Sequence, residues 1–150
     1  MLYFDTSALL PYYRQEASSE AIQDLLSRQT HPVHISRLTT VEFASALARW
    51  VRMEELTEPQ ANRVESALHE DIVQGRFVVR PVESQDFERA FQWLLARKTA
   101  LRTLDALHLA HAERLGAALV TLDSAMFRAA QYYGLNTLEL GIATGPRPSQ

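Results

Sequence analysis

The feature of this sequence that most constrains its fold is an apolar segment over residues 117–122, which is followed at once by Asp123. A short strand with apolar residues at nearly every position is typical of a parallel sheet that is covered by helices on both faces. Residues 2–4 form a second such segment at the start of the chain, and it also runs into an aspartate, Asp5. These segments predict strands of an α/β protein, each with a carboxylate at its end.

Strands and helices are predicted to alternate along the rest of the chain. Strands are predicted over 2–4, 32–36, 77–82 (or ending at Pro81), 117–122 and, at the sheet edge, 136–138. Helices are predicted from about residue 7, from 18 or 19 to 28, over 38–52, from 57, from 84, over 103–114 and over 124–133. This order predicts one domain over residues 1–140, with a parallel sheet between helices and a flexible Gly/Pro-rich tail over 141–150.

Composition narrows the class of protein. The chain has 150 residues, of which 47% are hydrophobic and 22% charged, as in a soluble single-domain protein. With a net charge of -3, the chain does not have the strong positive field that is typical of a protein that coats nucleic acids. It has no cysteine, which excludes disulfides and Cys-ligated zinc and fits a reducing compartment such as the cytoplasm. We expect no membrane segment and no export signal, because no apolar run is long enough.

Four acidic residues stand where a ligand site of an α/β sheet is expected. Asp5 and Asp123 follow strands, while Glu42 and Asp105 lie in the first turns of helices. Ligands of open parallel sheets bind beyond the carboxyl ends of the strands. Each acid also has a local interpretation. Asp5 and Asp123 are able to cap the following helices, Glu42 to form a capping box with Thr39, and Asp105 to be an ordinary acid that the helix dipole favours.

The combination of four acids favours a metal site over four separate caps. Two unpaired carboxylates about 4 Å apart repel by roughly 4 kcal/mol near a protein surface, so four of them need cations or raised pKa values. Hard oxygen ligands without cysteine indicate Mg²⁺ or Mn²⁺ rather than zinc. Such a site suits phosphodiester hydrolysis by metal-activated water.

Four segments of the sequence resemble the motifs of the PIN-domain family, in the same order. They are YFDTSALL around Asp5, TTVEFASAL around Glu42, LDALHLAHA around Asp105 and LVTLDSAMF around Asp123. The match covers residues 2 to about 140. The short single-domain form most resembles the VapC-type toxins of prokaryotic toxin–antitoxin systems.

The resemblance implies a three-layer α/β/α sandwich and a metal-dependent endoribonuclease. It implies that Asp5, Glu42, Asp105 and Asp123 bind Mg²⁺ or Mn²⁺, with no other cofactor. Ser7 and Thr121 would be accessory hydroxyls that orient carboxylates or water. The implied partners are an RNA substrate, a cognate antitoxin and a second copy in a homodimer.

Several other residues admit two interpretations. His108 and His111 lie on the helix of Asp105, and their apolar neighbours favour hydrogen-bonded structural histidines over metal ligands. Arg102 and, more weakly, Arg14 are candidates for RNA phosphate contacts, against the alternative of ordinary solvated charges. The stripe of Phe87 and Phe91 is expected to be core or interface, whereas the sequence does not decide whether Tyr12 and Tyr13 line a substrate groove or a dimer contact.

Three rival functions remain at this level. An aspartyl-phosphate phosphatase needs a second acid two positions after Asp5, where Ser7 stands, and a receiver domain needs a late-strand lysine that is missing. A non-catalytic RNA-binding module on the same fold is disfavoured because four acids would face the RNA. A PIN nuclease that processes RNA outside a toxin pair has the same chemistry, and the sequence does not separate it from a toxin.

Overall fold

The structure is a computed structural model that describes residues 1–140; the predicted flexible tail at 141–150 lies outside the described residues. Strands and helices alternate over the described part, as the sequence predicts. The elements are β1 (Leu2–Phe4), α1 (Thr6–Tyr13), α2 (Ser19–Ser27), β2 (Val33–Ser36), α3 (Arg37–Arg52), α4 (Glu58–Val73), β3 (Phe77–Arg80), α5 (Ser84–Ala96), α6 (Thr103–Leu115), β4 (Ala118–Val120) and α7 (Ser124–Tyr132).

The four strands form one parallel sheet in the order β3-β2-β1-β4. The first and last strands of the chain are therefore neighbours, with Phe4 opposite Val120. The backbone N–H of Asp5 continues this ladder by donating to the carbonyl of Val120 at 3.3 Å. This pairing brings the chain segments that carry Asp5 and Asp123 to the same edge of the sheet.

Helices cover both faces of the sheet and make two separate hydrophobic cores. Side chains alternate along β1, so that Tyr3 belongs to the core with α5, α6 and α7, and Phe4 to the core with α1 to α4. The second core includes Trp50, and the first includes Trp93. The three-layer α/β/α architecture is thereby confirmed.

Local signals explain where several elements begin and end. Ser36 and Thr39 form the capping box that begins α3, so the predicted box between Thr39 and Glu42 is wrong. The strand β3 ends directly before Pro81, because proline has no N–H for the next ladder position. Gly116 ends α6 in the left-handed conformation, with φ 63°.

Two expectations about the periphery differ from the structure. The predicted edge strand at 136–138 is a single parallel bridge between Leu119 and Thr137. In this segment the carbonyl of Asn136 accepts from the N–H of Leu119, and the N–H of Leu138 donates to the carbonyl of Leu119. These two hydrogen bonds involve a single residue of β4, so they do not form a strand ladder. Of the two alternatives for the Phe87 and Phe91 stripe, the core is wrong, since these residues are 56% and 63% exposed, and the interface stays a prediction.

No helix within residues 1–140 has the length and apolar character needed to cross a bilayer.

Candidate active site

Asp5 is the most enclosed of the four acids. It lies directly after β1, caps α1, and is 2% exposed. Its Oδ1 accepts hydrogen bonds from the Ser7 hydroxyl at 2.8 Å and the Ala8 N–H at 3.1 Å, and its Oδ2 accepts one from Thr121 Oγ1 at 2.7 Å. Burial raises the pKa of Asp5 above its ordinary value, although the nearby His108 ring and these hydrogen bonds act in the opposite direction. The carboxylate is thus oriented tightly by neutral donors.

Thr121 links this carboxylate to Asp123. The Thr121 hydroxyl accepts a hydrogen bond from the backbone N–H of Asp123 at 3.1 Å while it donates to Asp5. Asp123 itself caps α7, because its Oδ1 accepts from the N–H of Met126 at 2.9 Å. Ser7 also joins the two strand ends, since its Oγ accepts from the N–H of Leu122 at 2.9 Å. The structure therefore places both predicted accessory hydroxyls between the strand-end acids.

Glu42 reaches the same region from α3. Its Oε1 accepts a hydrogen bond from Thr6 Oγ1 at 2.8 Å and contacts the ring Nε2 of His108. Burial raises the pKa of Glu42, but the hydrogen bonds from His108 and Thr6 outweigh burial and hold the pKa below its ordinary value. Glu42 is therefore ionised at neutral pH, and its side chain is 25% exposed.

Asp105 lies in the first turn of α6. Its Oδ2 accepts a long hydrogen bond from the Arg102 N–H at 3.4 Å and lies 3.7 Å from the Arg102 guanidinium, whose side chain is 85% exposed. Burial raises the pKa of Asp105, and repulsion by the negative charge of Asp123 raises it further. An exposed arginine compensates such a carboxylate only weakly.

The contacts and electrostatics connect all four acids at one end of the sheet. Thr6 and Thr121 connect Asp5 to Glu42 and Asp123 through the backbone and hydrogen bonds, while Asp105 repels Asp123. The carboxylates are nevertheless not gathered into a closed cage, since no group of three or more His, Cys, Asp or Glu side chains in the described range 1–140 is close enough to hold a metal ion. We call this set of Asp5, Glu42, Asp105 and Asp123 the acidic pocket.

The two candidate RNA-binding arginines have different surroundings. Arg102 projects into solvent beside Asp105. Arg14 instead lies over the Trp50 ring, with 4.2 Å from its guanidinium carbon to the ring centre, and pairs with Glu55 at 3.0 Å. Tyr13 also has a partner within the fold, since its hydroxyl donates a hydrogen bond to the Asp71 carboxylate at 2.5 Å.

Sequence reasoning missed two contributors to the acidic pocket. Thr6 binds Glu42 across 36 residues, and the Tyr3 hydroxyl lies 2.6 Å from His108 Nδ1 across 105 residues. Both belong to the quoted motifs, but nothing in their spacing predicts these partners. Tyr3 reads as one more apolar strand residue.

A second concave surface lies between α3 and α4. It is an open groove of about 870 Å³, whose walls include the Ala44, Ala48 and Val51 face of α3. This face of α3 lines the groove, while Phe43 and Leu47 of the same helix pack into the core.

Comparisons with known proteins agree with this geometry. The sequence model of the PIN domain matches residues 2–132. Ribonuclease VapC35 of Mycobacterium tuberculosis is 35% identical over 149 residues, which cover 95% of this chain and 99% of that protein.

Solved structures share the fold at lower sequence identity. The sarcin-ricin loop cleaving toxin VapC20 of Mycobacterium tuberculosis superposes with a TM-score of 0.66 at 17% identity, covering 86% of this chain and 95% of that one. A toxin–antitoxin complex from Klebsiella pneumoniae gives a TM-score of 0.59 at 20% identity, covering 85% and 90%.

Proposed function

The chain belongs to the PIN-domain family, and we propose that it is a divalent-metal-dependent endoribonuclease that acts in the cytoplasm as the toxin of a toxin–antitoxin pair. The acidic pocket is the observation that carries this proposal. Asp5 and Asp123 follow the parallel strands β1 and β4, at the end of the sheet where an α/β fold binds its ligands, while Glu42 and Asp105 lie on the helices α3 and α6. The 35% identical relative is named a ribonuclease, which supports RNA as the substrate.

The donor chemistry of the acidic pocket fits Mg²⁺ or Mn²⁺. All four candidate ligands are carboxylates, the hard oxygen donors that these ions prefer, and the chain has no cysteine. Burial raises the pKa of both Asp5 and Asp105, and the charge of Asp123 raises that of Asp105 further, so a bound cation would stabilise the ionised form of these carboxylates. At such a site a divalent ion supplies activation of a water molecule and stabilisation of the leaving oxygen.

The residues of the chain have separate roles in this proposal. Ser7 and Thr121 fix both oxygens of Asp5, so that the carboxylate is preorganised. Asp123 presents one oxygen, since its Oδ1 is used to cap α7. Arg102, exposed beside Asp105, is placed to contact an RNA phosphate next to the pocket. Arg14 remains a weaker candidate because Glu55 and Trp50 hold it.

Protein partners follow from the toxin assignment. The proposed partners are a cognate antitoxin and a second copy of the chain, and a structural neighbour of this chain is a toxin–antitoxin complex. An amphipathic helix of the antitoxin would bury its apolar face in the groove between α3 and α4. Ala48→Arg, which adds bulk and charge to the groove wall, should then weaken antitoxin binding and leave RNA cleavage intact.

The decisive experiment incubates the purified protein with a mixed RNA pool in Mg²⁺, in Mn²⁺ and in EDTA. We expect cleavage only with metal, and 5′-phosphate and 3′-hydroxyl ends, because water rather than the ribose 2′-hydroxyl attacks. Asp5→Asn should abolish cleavage, whereas Asp24→Asn, a matched change on the exposed face of α2, should not. Cyclic phosphate ends, or cleavage that survives EDTA, would contradict the mechanism.

The toxin assignment has its own test. Expression of the wild-type chain alone should slow growth, and Asp5→Ala should relieve the effect. Metal-dependent cleavage without any growth defect would favour the alternative of an RNA-processing nuclease outside a toxin pair. RNA binding that is indifferent to both EDTA and Asp5→Asn would favour the non-catalytic RNA-binding module.

A further inference from the structure

A buried polar chain runs from β1 through α6 to the edge of the acidic pocket. Tyr3 is 0% exposed and His108 is 2% exposed. The Tyr3 hydroxyl lies 2.6 Å from His108 Nδ1 and 2.9 Å from Ser36 Oγ, and the opposite ring nitrogen, Nε2, contacts Glu42 Oε1. Both nitrogens of His108 are thus engaged by protein groups, which argues against His108 as a metal ligand.

The partners of His108 determine where its ring carries a proton. An ionised Glu42 carboxylate only accepts hydrogen bonds, so the contact is a hydrogen bond when Nε2 carries the proton. The single proton of the Tyr3 hydroxyl is donated to Ser36 Oγ, so the hydroxyl oxygen is left to accept a hydrogen bond from His108 Nδ1. The tautomer with a bare Nε2 would set a lone pair against the carboxylate and is excluded by repulsion.

The hydrogen bonds on Glu42 are asymmetric. The His108 Nε2–H and the Thr6 hydroxyl, at 2.8 Å, both converge on Oε1. Within residues 1–140, Oε2 has no hydrogen bond from another side chain or from the backbone. The carboxylate is therefore anchored through one oxygen, and the other oxygen remains available for a ligand.

We propose that His108 is a positioning residue, which holds Glu42 through Oε1 so that Oε2 serves the acidic pocket, and that Tyr3 fixes the His108 ring for this task. The inference rests on the proposed function for the role of Oε2, but the contacts themselves do not depend on RNA cleavage. Buried hydrogen-bond partners of this kind orient ligands and commonly change metal affinity or activity about 10- to 100-fold.

Two substitutions of His108 separate the contacts of its two nitrogens. The amide nitrogen of glutamine reaches approximately the position of Nε2, so His108→Gln should keep the bond to Glu42. The shorter asparagine matches Nδ1 alone, so His108→Asn should lose that bond. We expect His108→Asn to weaken both Mn²⁺ binding, measured by calorimetry without RNA, and RNA cleavage by about 10- to 100-fold, and His108→Gln to recover most of both. His31→Asn, at an exposed loop position, is the matched control.

Nitrogen NMR of the histidine rings in the metal-free wild-type protein supplies a readout that needs neither metal nor RNA. We expect a proton on His108 Nε2. We expect Tyr3→Phe to change the Nδ1 signal and to weaken Mn²⁺ binding. When Glu42→Gln is already present, adding Tyr3→Phe should change Mn²⁺ binding little. A bare Nε2 in the wild type would overturn the proposal, even if the variants fail to fold. Equal Mn²⁺ affinity of His108→Asn and His108→Gln would overturn it too, whereas a wild type that binds Mn²⁺ but leaves RNA intact would contradict the proposed function instead.

Discussion

Two buried aspartates in this protein have pKa values that are shifted in opposite directions. Asp5 is 2% exposed and Asp86, in the first turn of α5, is 1% exposed. Asp86 accepts two hydrogen bonds from the Arg114 guanidinium, at 2.7 and 3.0 Å, and lies 3.1 Å from His111 Nδ1. Burial raises the pKa of Asp86, but Arg114 and the other donors outweigh it and hold the pKa below its ordinary value.

The comparison separates an acid that is paired within the protein from one that we propose to be functional. Asp86 is neutralised within the chain and ties α5 to α6, whereas Asp5 receives mainly neutral donors and its pKa is raised. The same division applies along α6, where His111 faces Asp86 and His108 faces Glu42. A buried carboxylate whose pKa is raised by burial and that has no ion pair with a base of the protein is a candidate for binding a cation.

The largest effect that tests this contrast is on cleavage. Asp5→Asn should lower the rate of RNA cleavage about a thousandfold, equal to about 4 kcal/mol of transition-state stabilisation, because a proposed metal ligand loses its charge. Urea unfolding without metal should show unchanged or slightly higher stability, since the amide oxygen can still cap the Ala8 N–H and the cost of burying a charge is removed. A large loss of stability would make Asp5 a structural acid like Asp86.

The second effect is on folding. Asp86→Asn should lower the free energy of unfolding by about 3 kcal/mol, because the guanidinium of Arg114 loses its buried anion and keeps only the longer ion pair with Glu83 at 3.5 Å. Urea denaturation followed by circular dichroism measures this change. At temperatures where the variant remains folded, its RNA cleavage should match the wild type; an unchanged stability would remove the basis of the comparison.

The third effect is the gain in stability on metal binding, which should distinguish Asp5 from Asp86. A saturating excess of Mn²⁺, about 100 times its dissociation constant, should stabilise the wild type by about 2.7 kcal/mol. Asp86→Asn should keep this increment, and Asp5→Asn should lose it. Thermal unfolding with and without Mn²⁺ measures the increment, and a wild type that does not respond would argue against a metal site in the acidic pocket.

The smallest effect concerns pH. Burial lowers the pKa of His111, the positive charge of Arg114 lowers it further, and Asp86 opposes both. His111 therefore binds a proton more readily in the unfolded chain than in the folded protein. The contribution of neutral His111 to the stability of the fold is complete above about pH 6.5 and is lost as the pH falls toward the folded-state pKa of His111. His111→Gln should therefore reduce the loss of stability between about pH 7 and 5 by about 1 kcal/mol. An unchanged slope would show that His111 does not contribute.

The sequence predicted the frame of the acidic pocket because its signals are local. Apolar runs that end in Asp5 and Asp123 marked two strand ends, and Pro81 and Gly116 marked where elements stop. The order of strands and helices then restricted the sheet to a parallel arrangement with helices on both faces. The expected edge strand at 136–138 failed because a single bridge to Leu119 gives it no ladder.

The contacts between distant segments were beyond the sequence. The sequence spacing allowed a capping box between Thr39 and Glu42. In the structure Thr39 forms its capping box with Ser36, and Glu42 contacts Thr6 and His108. The pairing of Asp86 with Arg114 joins two helices across 28 residues, and no local pattern specifies it.

The amino-acid sequence by itself determined the α/β class, the positions of the four acids along the chain and the ends of most elements. These properties depend on hydrophobic periodicity and on capping within a few residues. Only the tertiary structure decided that burial raises the pKa of Asp5 while Arg114 helps to lower that of Asp86, and that Glu42 contacts Thr6 and His108. The reason is physical: the pKa and orientation of a buried group depend on side chains within a few ångströms, and folding brings those side chains from remote parts of the chain.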